Sequence, residues 1–312
     1  MASNQPANAT SATDSQLTGL NLYTRAAERA SAEVIDTYST SFGLASKLLG
    51  KRVRQDVRNI YALVRVADEV VDGAAAQALS GEATAHTESQ IAATEKLLDD
   101  LETETYAAID RGYSTNLVVH AFAMTAIRVG IGRELIEPFF TSMRMDLREH
   151  EHDQASFEEY IYGSAEVVGL MCLQAFMHER EYTAEDTATM IEGARALGSA
   201  FQKVNFLRDL AADFKLLERS YFPGVTVSNF DEASKQAIVA DIASELHTSA
   251  LSLPKLPADS RRAVVAAQLL FEALNKKLAK TPAEELASTR VSVSTAQKMR
   301  ILALALIGVM PR

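Results

Sequence analysis

Apolar residues recur every three or four positions along most of this chain, the spacing that places side chains on one face of an α-helix. The strongest example is the stretch 52–72, where valines, an isoleucine, a tyrosine and alanines keep this spacing without interruption. Two stretches, 73–89 and 216–229, lack the pattern and are predicted to be irregular. The pattern predicts further helices over 21–49, 90–109, 117–129, 133–149, 157–178, 184–214, 231–250, 259–278 and 282–309.

Composition agrees with this helical pattern. The chain has 312 residues, 47% of them hydrophobic, with only 14 glycines and 7 prolines. Few helix breakers and abundant alanine, leucine and glutamate favour an all-α protein. No interdomain linker is evident, so we predict a single bundle of roughly eight to ten helices. Residues 1–20, which begin small and polar, are predicted to be a disordered tail, and residues 21–312 the helical domain.

Charge and cysteine content exclude several classes of function. A net charge of -10 argues against non-specific nucleic-acid binding, although a bound divalent cation would still admit a phosphorylated substrate. Cys172 is the only cysteine, so no intrachain disulfide forms, and its apolar surroundings indicate a small buried hydrophobic side chain. His150 and His152, two positions apart, cannot converge on one metal from a helix and are interpreted as solvated.

The chain shows no feature that would direct it across a membrane. Its first 16 residues lack the charged start and apolar core of a signal peptide. No apolar stretch reaches the roughly 18–20 residues that a membrane-spanning helix needs. The most apolar terminal run, 301–310, is short and ends at Pro311. We therefore expect a cytoplasmic protein, either free in solution or in contact with a membrane surface.

Two groups of acidic residues carry the candidate chemistry. Asp68 and Asp72 end the strongest predicted helix, and Asn205, Asp209 and Asp213 follow one another at four-residue spacing in a second helix. Residues four apart project from one face of a helix, so each group presents its oxygens together. Carboxylate and amide oxygens suit Mg²⁺, which prefers a few such ligands completed by water and substrate phosphates. The spacing predicts a site that holds a diphosphate between two helices.

The surroundings of these acids favour a site over an ordinary solvated helix face. Apolar side chains flank both groups, and Gln202 lies one turn before Asn205 on the same stripe. Arg65 lies one turn before Asp68, as a partner for that acid or for a phosphate. Burying such a stripe without cations would cost several kcal/mol for each ionised group. A cavity with bound metal ions and water removes that conflict.

Four segments together resemble the squalene/phytoene synthase family, the trans head-to-head isoprenyl diphosphate synthases. The resemblance covers roughly residues 35–305, and the second aspartate motif is its most specific part. The segments are YSTSF at 38–42, YALVRVADEVVD at 61–72, YIYGSAEVVG at 160–169, and the stretch 202–213 followed by RSYFP at 219–223.

The chain also departs from the family pattern. Tyr38 replaces a usual histidine, Glu69 replaces the second aspartate of the first motif, and Ala212 replaces a common acid. Glu166 stands where the family usually has glycine, beside the expected substrate channel, and Phe271 occupies a position that is often tyrosine. Because the outer acids of both motifs are kept, these differences bear on the product more than on the reaction class.

The resemblance implies an isoprenoid synthase-type helical bundle around a central cavity, with Mg²⁺ or Mn²⁺ as the cofactor. The implied metal ligands are Asp68, Asp72, Asn205, Asp209 and Asp213. The implied catalytic residues are Asp68, Asp72, Asp209, Asp213 and Tyr221. The implied substrate-binding residues are Ser39, Ser41, Phe42, Tyr61, Arg65, Tyr160, Val168, Gly169, Gln202, Asn205, Arg208 and Arg219. Gly169 is expected to leave room for a prenyl chain beside the backbone.

The expected reaction is the condensation of two prenyl diphosphates, most simply two geranylgeranyl diphosphates to phytoene in carotenoid biosynthesis. Squalene or dehydrosqualene synthesis from two farnesyl diphosphates is an alternative, and squalene would require a reduced nicotinamide. A class I terpene cyclase shares the four-and-four oxygen spacing, and a non-catalytic relative is a further alternative. The long apolar product suggests peripheral contact with a membrane. Chain length and oligomeric state are left open at this point.

Overall fold

A computed structural model describes residues 17–39, 43, 45–80, 87–149, 151–212, 221–226, 229–286 and 288–311. The described residues form helices and connecting turns, with no β-strand among them. The first half contains α1 (Gly19–Tyr38), α2 (Lys51–Asp72), α3 (Ala74–Ser80), α4 (Glu88–Arg111), α5 (Leu117–Val129) and α6 (Arg133–Arg148). The second half contains α7 (Gln154–Ile161), a π-helical turn (Tyr162–Glu166), α8 (Val167–Met177), α9 (Ala184–Ala212), α10 (Glu232–Ser252), a 3₁₀ turn (Leu253–Lys255), α11 (Ala258–Lys280), α12 (Ala283–Leu286) and α13 (Thr295–Leu306).

Local sequence explains where several helices begin and end. The Thr87 hydroxyl and the Gln90 side chain form a capping box at the start of α4. Asn116 caps α5 by accepting hydrogen bonds from two backbone N–H groups. α4 and α5 both end at a left-handed glycine, Gly112 and Gly130. These signals place the observed ends within a few residues of the predicted ones.

Three predicted boundaries are wrong. The helix predicted over 21–49 ends at Tyr38, because Ser39 adopts an extended conformation. The irregular stretch predicted over 73–89 contains α3. The helix predicted over 282–309 is interrupted between α12 and α13, where Val291 and Val293 are buried and the intervening Ser292 is exposed. That alternation has a period of two residues, which is the pattern of an extended segment.

The two acid-bearing helices belong to different parts of the core. The end of α2 packs with α4, α5 and α6 in one apolar cluster through Ile60, Leu63 and Val71. The end of α9 packs with α10 and α11 in a second cluster through Val204 and Leu207. The acids near the ends of both helices therefore lie where these two clusters meet.

Within the described residues, one helical run, Gln154–Met177, is long and apolar enough to cross a membrane by length and composition alone. This differs from the expectation that no stretch would qualify. Half of its most apolar window is buried inside the protein, as in a core helix of a bundle. Cys172 lies in this run and packs against two apolar clusters, but it is partly buried where full burial was predicted. Burial raises the pKa of its thiol to about 12, so the thiol stays protonated.

Candidate active site

One face of α2 and one face of α9 line the same cavity of about 370 Å³. Each helix brings an arginine as well as its acids, because residues three and four apart share a face. The structure thus brings together the described members of the two acidic groups that the sequence placed on separate helices. The cavity-lining residues of α2 are Tyr61, Val64, Arg65, Asp68 and Asp72, and those of α9 are Gln202, Asn205, Phe206, Arg208 and Asp209.

Arg65 binds acidic side chains at the end of α2. Its Nη1 donates to Asp68 Oδ2 at 2.5 Å, and its Nη2 donates to Glu69. The guanidinium also lies over the ring of Tyr38, with Cζ 4.5 Å from the ring centroid. Burial, which Arg65 opposes only in part, raises the pKa of Asp68 to about 6. Tyr38 and Glu69, which differ from the family pattern, therefore both contact Arg65, and Arg65 in turn binds Asp68.

Two arginines surround the second acidic group. Arg208 Nε donates to Asp209 Oδ1 at 3.0 Å, and Arg290 Nε donates to the same oxygen at 2.6 Å. Burial alone would raise the pKa of Asp209, but these two guanidinium groups outweigh it and lower that pKa. Arg290 comes from the extended segment that interrupts the C-terminal helical pattern. Arg290, which is distant in sequence, therefore helps to keep Asp209 ionised.

The donor set fits Mg²⁺ that is shared with a phosphorylated ligand. Among the described residues no three histidine, cysteine, aspartate or glutamate side chains form a ready-made metal cluster. The acids line the cavity from two different helices, and Mg²⁺ commonly completes its shell with substrate phosphates. Arg65 Nε and Ser164 Oγ are buried, line this cavity and have no hydrogen-bond partner among the described residues. These two unused donors suit the oxygens of a diphosphate.

Asp146 is a residue of the site that the sequence interpretation missed. Tyr160 Oη donates to Asp146 Oδ2 at 2.8 Å, and Tyr221 Oη donates to Asp146 Oδ1 at 3.4 Å. Burial raises the pKa of Tyr160 well above its ordinary value, so its hydroxyl remains a donor. A signal was present in α6, where Phe139, Met143 and Asp146 follow one apolar stripe and all three line the cavity. An acid in a core-facing position needs partners or a function.

Aromatic rings form the wall beside Asp146. Phe206 stacks on Tyr221, with centroids 3.8 Å apart and an interplanar angle of 4°. His152 lies nearly parallel to Tyr221 at 6.1 Å and contacts Tyr160 at 5.2 Å. The expectation that His152 would be solvated is wrong, because only 7% of it is exposed. His150 lies outside the described residues.

The remaining predicted site residues either do not line the cavity or lie outside the described residues. Ser39 forms a side-chain hydrogen bond with Tyr61 and so supports a cavity-lining residue. Val168 packs against the first apolar cluster and does not line the described cavity. Ser41, Phe42, Asp213 and Arg219 lie outside the described residues, and their roles stay predictions.

Gly169 and Glu166 do not have the surroundings expected of them. A Cβ on Gly169 would lie 2.6 Å from the carbonyl oxygen of Ala194, so α9 already fills the space predicted for a prenyl chain. The glycine is explained by the close approach of α8 and α9. Glu166 Oε2 accepts from Arg195 Nε at 2.6 Å and does not line the described cavity. The Glu166 carboxylate therefore forms an ion pair with Arg195 outside the cavity.

The sequence profile of the squalene/phytoene synthase family matches residues 35–297. The chain belongs to this family. A 15-cis-phytoene synthase of Enterobacter agglomerans is 26% identical over 285 residues, 85% of this chain and 90% of that protein. The chloroplastic phytoene synthase 3 of Zea mays is 32% identical over 202 residues, 64% of this chain and 43% of the longer maize protein. The family assignment predicted from the four motifs is thus confirmed.

The fold is confirmed independently by solved structures. A dehydrosqualene synthase crystallised with a ligand superposes with a TM-score of 0.72 over 92% of this chain and 97% of that chain. At 22% identity this likeness establishes the all-α isoprenoid synthase fold alone. As a squalene/phytoene synthase, the chain is a transferase of prenyl groups. Head-to-head condensation of prenyl diphosphates is its reaction class.

Proposed function

We propose that this enzyme joins two geranylgeranyl diphosphates head to head to give phytoene, through a cyclopropylcarbinyl diphosphate, in carotenoid biosynthesis. The observation that carries the proposal is the single cavity that Asp68 and Asp209 line from two helices, each acid beside an arginine. The similarity to a bacterial 15-cis-phytoene synthase over 90% of its length supports the choice of product.

The acidic and basic residues have distinct roles in this proposal. Mg²⁺ or Mn²⁺, bound by Asp68, Asp72, Asn205 and Asp209, would neutralise the diphosphate as it leaves. Arg65 and Arg208 would donate hydrogen bonds to the phosphate oxygens in place of their present contacts with the acids. Gln202 and Tyr61 would orient the same group from the cavity wall. Asp213 and Arg219 enter the proposal from the sequence motif alone.

The reaction proceeds through two ionisations. In the first, a carbon–oxygen bond breaks, diphosphate leaves with the electron pair, and the allylic cation is attacked by the double bond of the second substrate. Loss of a proton gives the cyclopropylcarbinyl diphosphate. In the second, the remaining diphosphate leaves, the cation rearranges, and loss of another proton gives phytoene. No reductant is consumed.

The aromatic wall would protect the cations of both steps. Tyr160, Phe206 and Tyr221 present ring faces and edges to the cavity, and ring faces attract positive charge. The same rings exclude water, which would otherwise trap a cation as an alcohol. Asp146 would hold the two tyrosine hydroxyls away from the reacting carbons, at the positions seen in the structure.

Product analysis tests the proposal directly. Purified protein is incubated with Mg²⁺ and either geranylgeranyl or farnesyl diphosphate, without NADPH, and the hydrocarbons are extracted. We expect phytoene from geranylgeranyl diphosphate. Dehydrosqualene from farnesyl diphosphate alone would reassign the chain length. A cyclic product from a single substrate molecule would favour a terpene cyclase, and no hydrocarbon from either substrate would contradict the condensation.

Substitution of the acids tests the metal assignment. Asp68→Ala and Asp209→Ala should each lower turnover by at least about a thousandfold, because the leaving diphosphate would lose its charge stabilisation. Far-ultraviolet circular dichroism should remain helical, since neither side chain belongs to the apolar core. Asp100→Ala is the matched control, because Asp100 is exposed on α4, outside the cavity, and forms an exposed ion pair with Lys96. Full activity of either cavity variant would contradict the assignment.

A further inference from the structure

The last helix, α13, has an apolar face without a partner among the described residues. Its inner side packs on the core through Ile301 and Ala305, which are 8% and 1% exposed. On its outer side Met299 is 54% exposed and Leu306 52%, and the following Ile307 is 77% exposed. Met299 and Leu306 are seven residues apart, two helical turns along one stripe. Apolar residues on both sides of a surface helix indicate that the outer side meets another apolar phase.

The charge of this segment is opposite to that of the chain. Residues 290–312 contain Arg290, Lys298, Arg300 and Arg312 and no acidic residue, a formal charge of +4, whereas the whole chain carries -10. Lys298 and Arg300 flank Met299, about 100° to either side of the apolar stripe. Long basic side chains beside an apolar stripe can extend toward anionic groups while the stripe is buried. The charge pattern therefore complements an anionic surface with an apolar interior.

The segment is also anchored at the rim of the active site. Arg290 binds Asp209 through the contact of 2.6 Å, and Lys277 Nζ donates to the backbone oxygen of Ser292 at 2.7 Å. Both contacts precede α13 and fix the extended stretch from which the helix starts. The exposed face therefore belongs to a helix that starts from a segment bound to the cavity-lining residue Asp209.

We propose that the outer face of α13, formed by Met299, Leu306 and Ile307 between Lys298 and Arg300, docks the protein on an anionic lipid surface. A second copy of this chain fits the face less well, because two such faces would bring their own basic residues together. A lipid surface supplies both an apolar layer and the opposite charge. Docking involves no substrate and is separate from the condensation reaction.

Vesicle flotation with the full chain tests the docking. Vesicles of phosphatidylglycerol mixed with phosphatidylcholine should carry the protein upward, and vesicles of phosphatidylcholine alone should carry much less. Added salt should weaken the binding, because it screens the basic residues. The double variant Lys298→Glu with Arg300→Glu should lower the partition coefficient by at least about tenfold. The double variant Leu306→Asp with Ile307→Asp should lower it at least as much.

Ile127→Asp is the matched control, because Ile127 is 50% exposed on α5, outside the proposed face. It should bind vesicles like the unchanged protein. Failure of the unchanged protein to float, or an equal loss in the control, would overturn the proposal. A dimer that Leu306→Asp dissociates, without vesicle binding, would assign the face to a second copy instead. Because flotation is measured without substrate, these outcomes are independent of product formation.

Discussion

Asp68 and Asp209 illustrate how residues of one type acquire opposite properties in one cavity. Burial raises the pKa of Asp68 to about 6, whereas Arg208 and Arg290 overcome burial and lower the pKa of Asp209. Both acids bind arginines, but Asp68 takes up a proton at a higher pH than Asp209 does. The arginines beside both acids offset the negative charge of the carboxylates that line this cavity.

Asp146 is the residue whose role depends most on its neighbours. The described partners of its carboxylate include the hydroxyls of Tyr160 and Tyr221, which come from separate segments of the chain. The bond from Tyr160 is the stronger of the two, because it measures 2.8 Å against 3.4 Å for the bond from Tyr221. The carboxylate therefore positions both rings against the cavity.

Asp146→Asn should lower turnover by about ten- to a hundredfold, because an amide can donate where the tyrosines require an acceptor, and the rings would shift. We expect the Michaelis constant to change little and the cyclopropyl intermediate to accumulate, since the second cation relies on the same wall. The measurement is quantification of intermediate and product during steady-state turnover. Asp110→Asn, at an exposed position of α4, is the control. Unchanged turnover in Asp146→Asn would refute the positioning role.

At the level of helices, Arg52 joins three elements far apart in sequence. Its guanidinium donates to Asp259 Oδ2 at 2.9 Å and to the carbonyl oxygens of Ala175, Phe176 and His178. These carbonyls lie at the end of α8, where no further helical turn can bind them. Arg52 thus fixes the start of α2, the end of α8 and the start of α11 together, and so orients the acid-bearing helix.

Asp259→Asn should lower the free energy of unfolding by about 1–2 kcal/mol at neutral pH, because it removes a charged hydrogen bond. Burial raises the pKa of Asp259, but Arg52 and Arg180 outweigh it and lower that pKa in the folded state. The stabilisation is therefore present above the unfolded pKa and is lost as the pH falls through the folded pKa. Urea unfolding of both proteins at neutral and acidic pH measures the difference.

The control for this experiment is Asp100→Asn, which removes an ion pair with Lys96 whose side chains are 62% and 73% exposed. Exposed pairs contribute little, so this variant should unfold like the unchanged protein. An effect of Asp259→Asn that stayed constant into acid would mean that charge is not the cause.

Across the whole molecule, the cavity lies between two parts of the core. The end of α2 belongs to one apolar cluster and the end of α9 to another, and each helix presents acids to the cavity beside an arginine of its own. A ligand that binds both acidic groups connects the two parts. Ligand binding should therefore be measurable as stability of the whole fold.

Mg²⁺ together with inorganic diphosphate should stabilise the folded protein by about 2–3 kcal/mol when the ligand is near a hundred times its Kd. Mg²⁺ alone should do less, because the described residues contain no complete metal cluster. Differential scanning calorimetry measures the shift in Tm, and EDTA should reverse it. The variant Asp209→Asn should lose most of the shift. An equal shift in that variant would show that the ligand binds elsewhere.

Local sequence was sufficient for most helices and for the alignment of each acidic group. Helical periodicity, caps and four-residue spacing all act within a few turns, so α2, α5 and the start of α9 were predicted nearly to the residue. The pairing of the two acidic groups was also predicted, because buried charges require a common cation. The family motifs extended that interpretation to Tyr61, Tyr160 and Tyr221, which line the cavity or its wall.

Other features depend on contacts between distant segments, which periodicity does not encode. Arg290 binds Asp209, His152 is buried against Tyr221, and Asp146 accepts from two tyrosines, in each case because separate elements pack at that place. Gly169 was assigned to substrate, but its neighbour is the backbone of α9. A single chain specifies which face of each helix is apolar. The packing of those faces against one another then determines which polar side chains share a cavity.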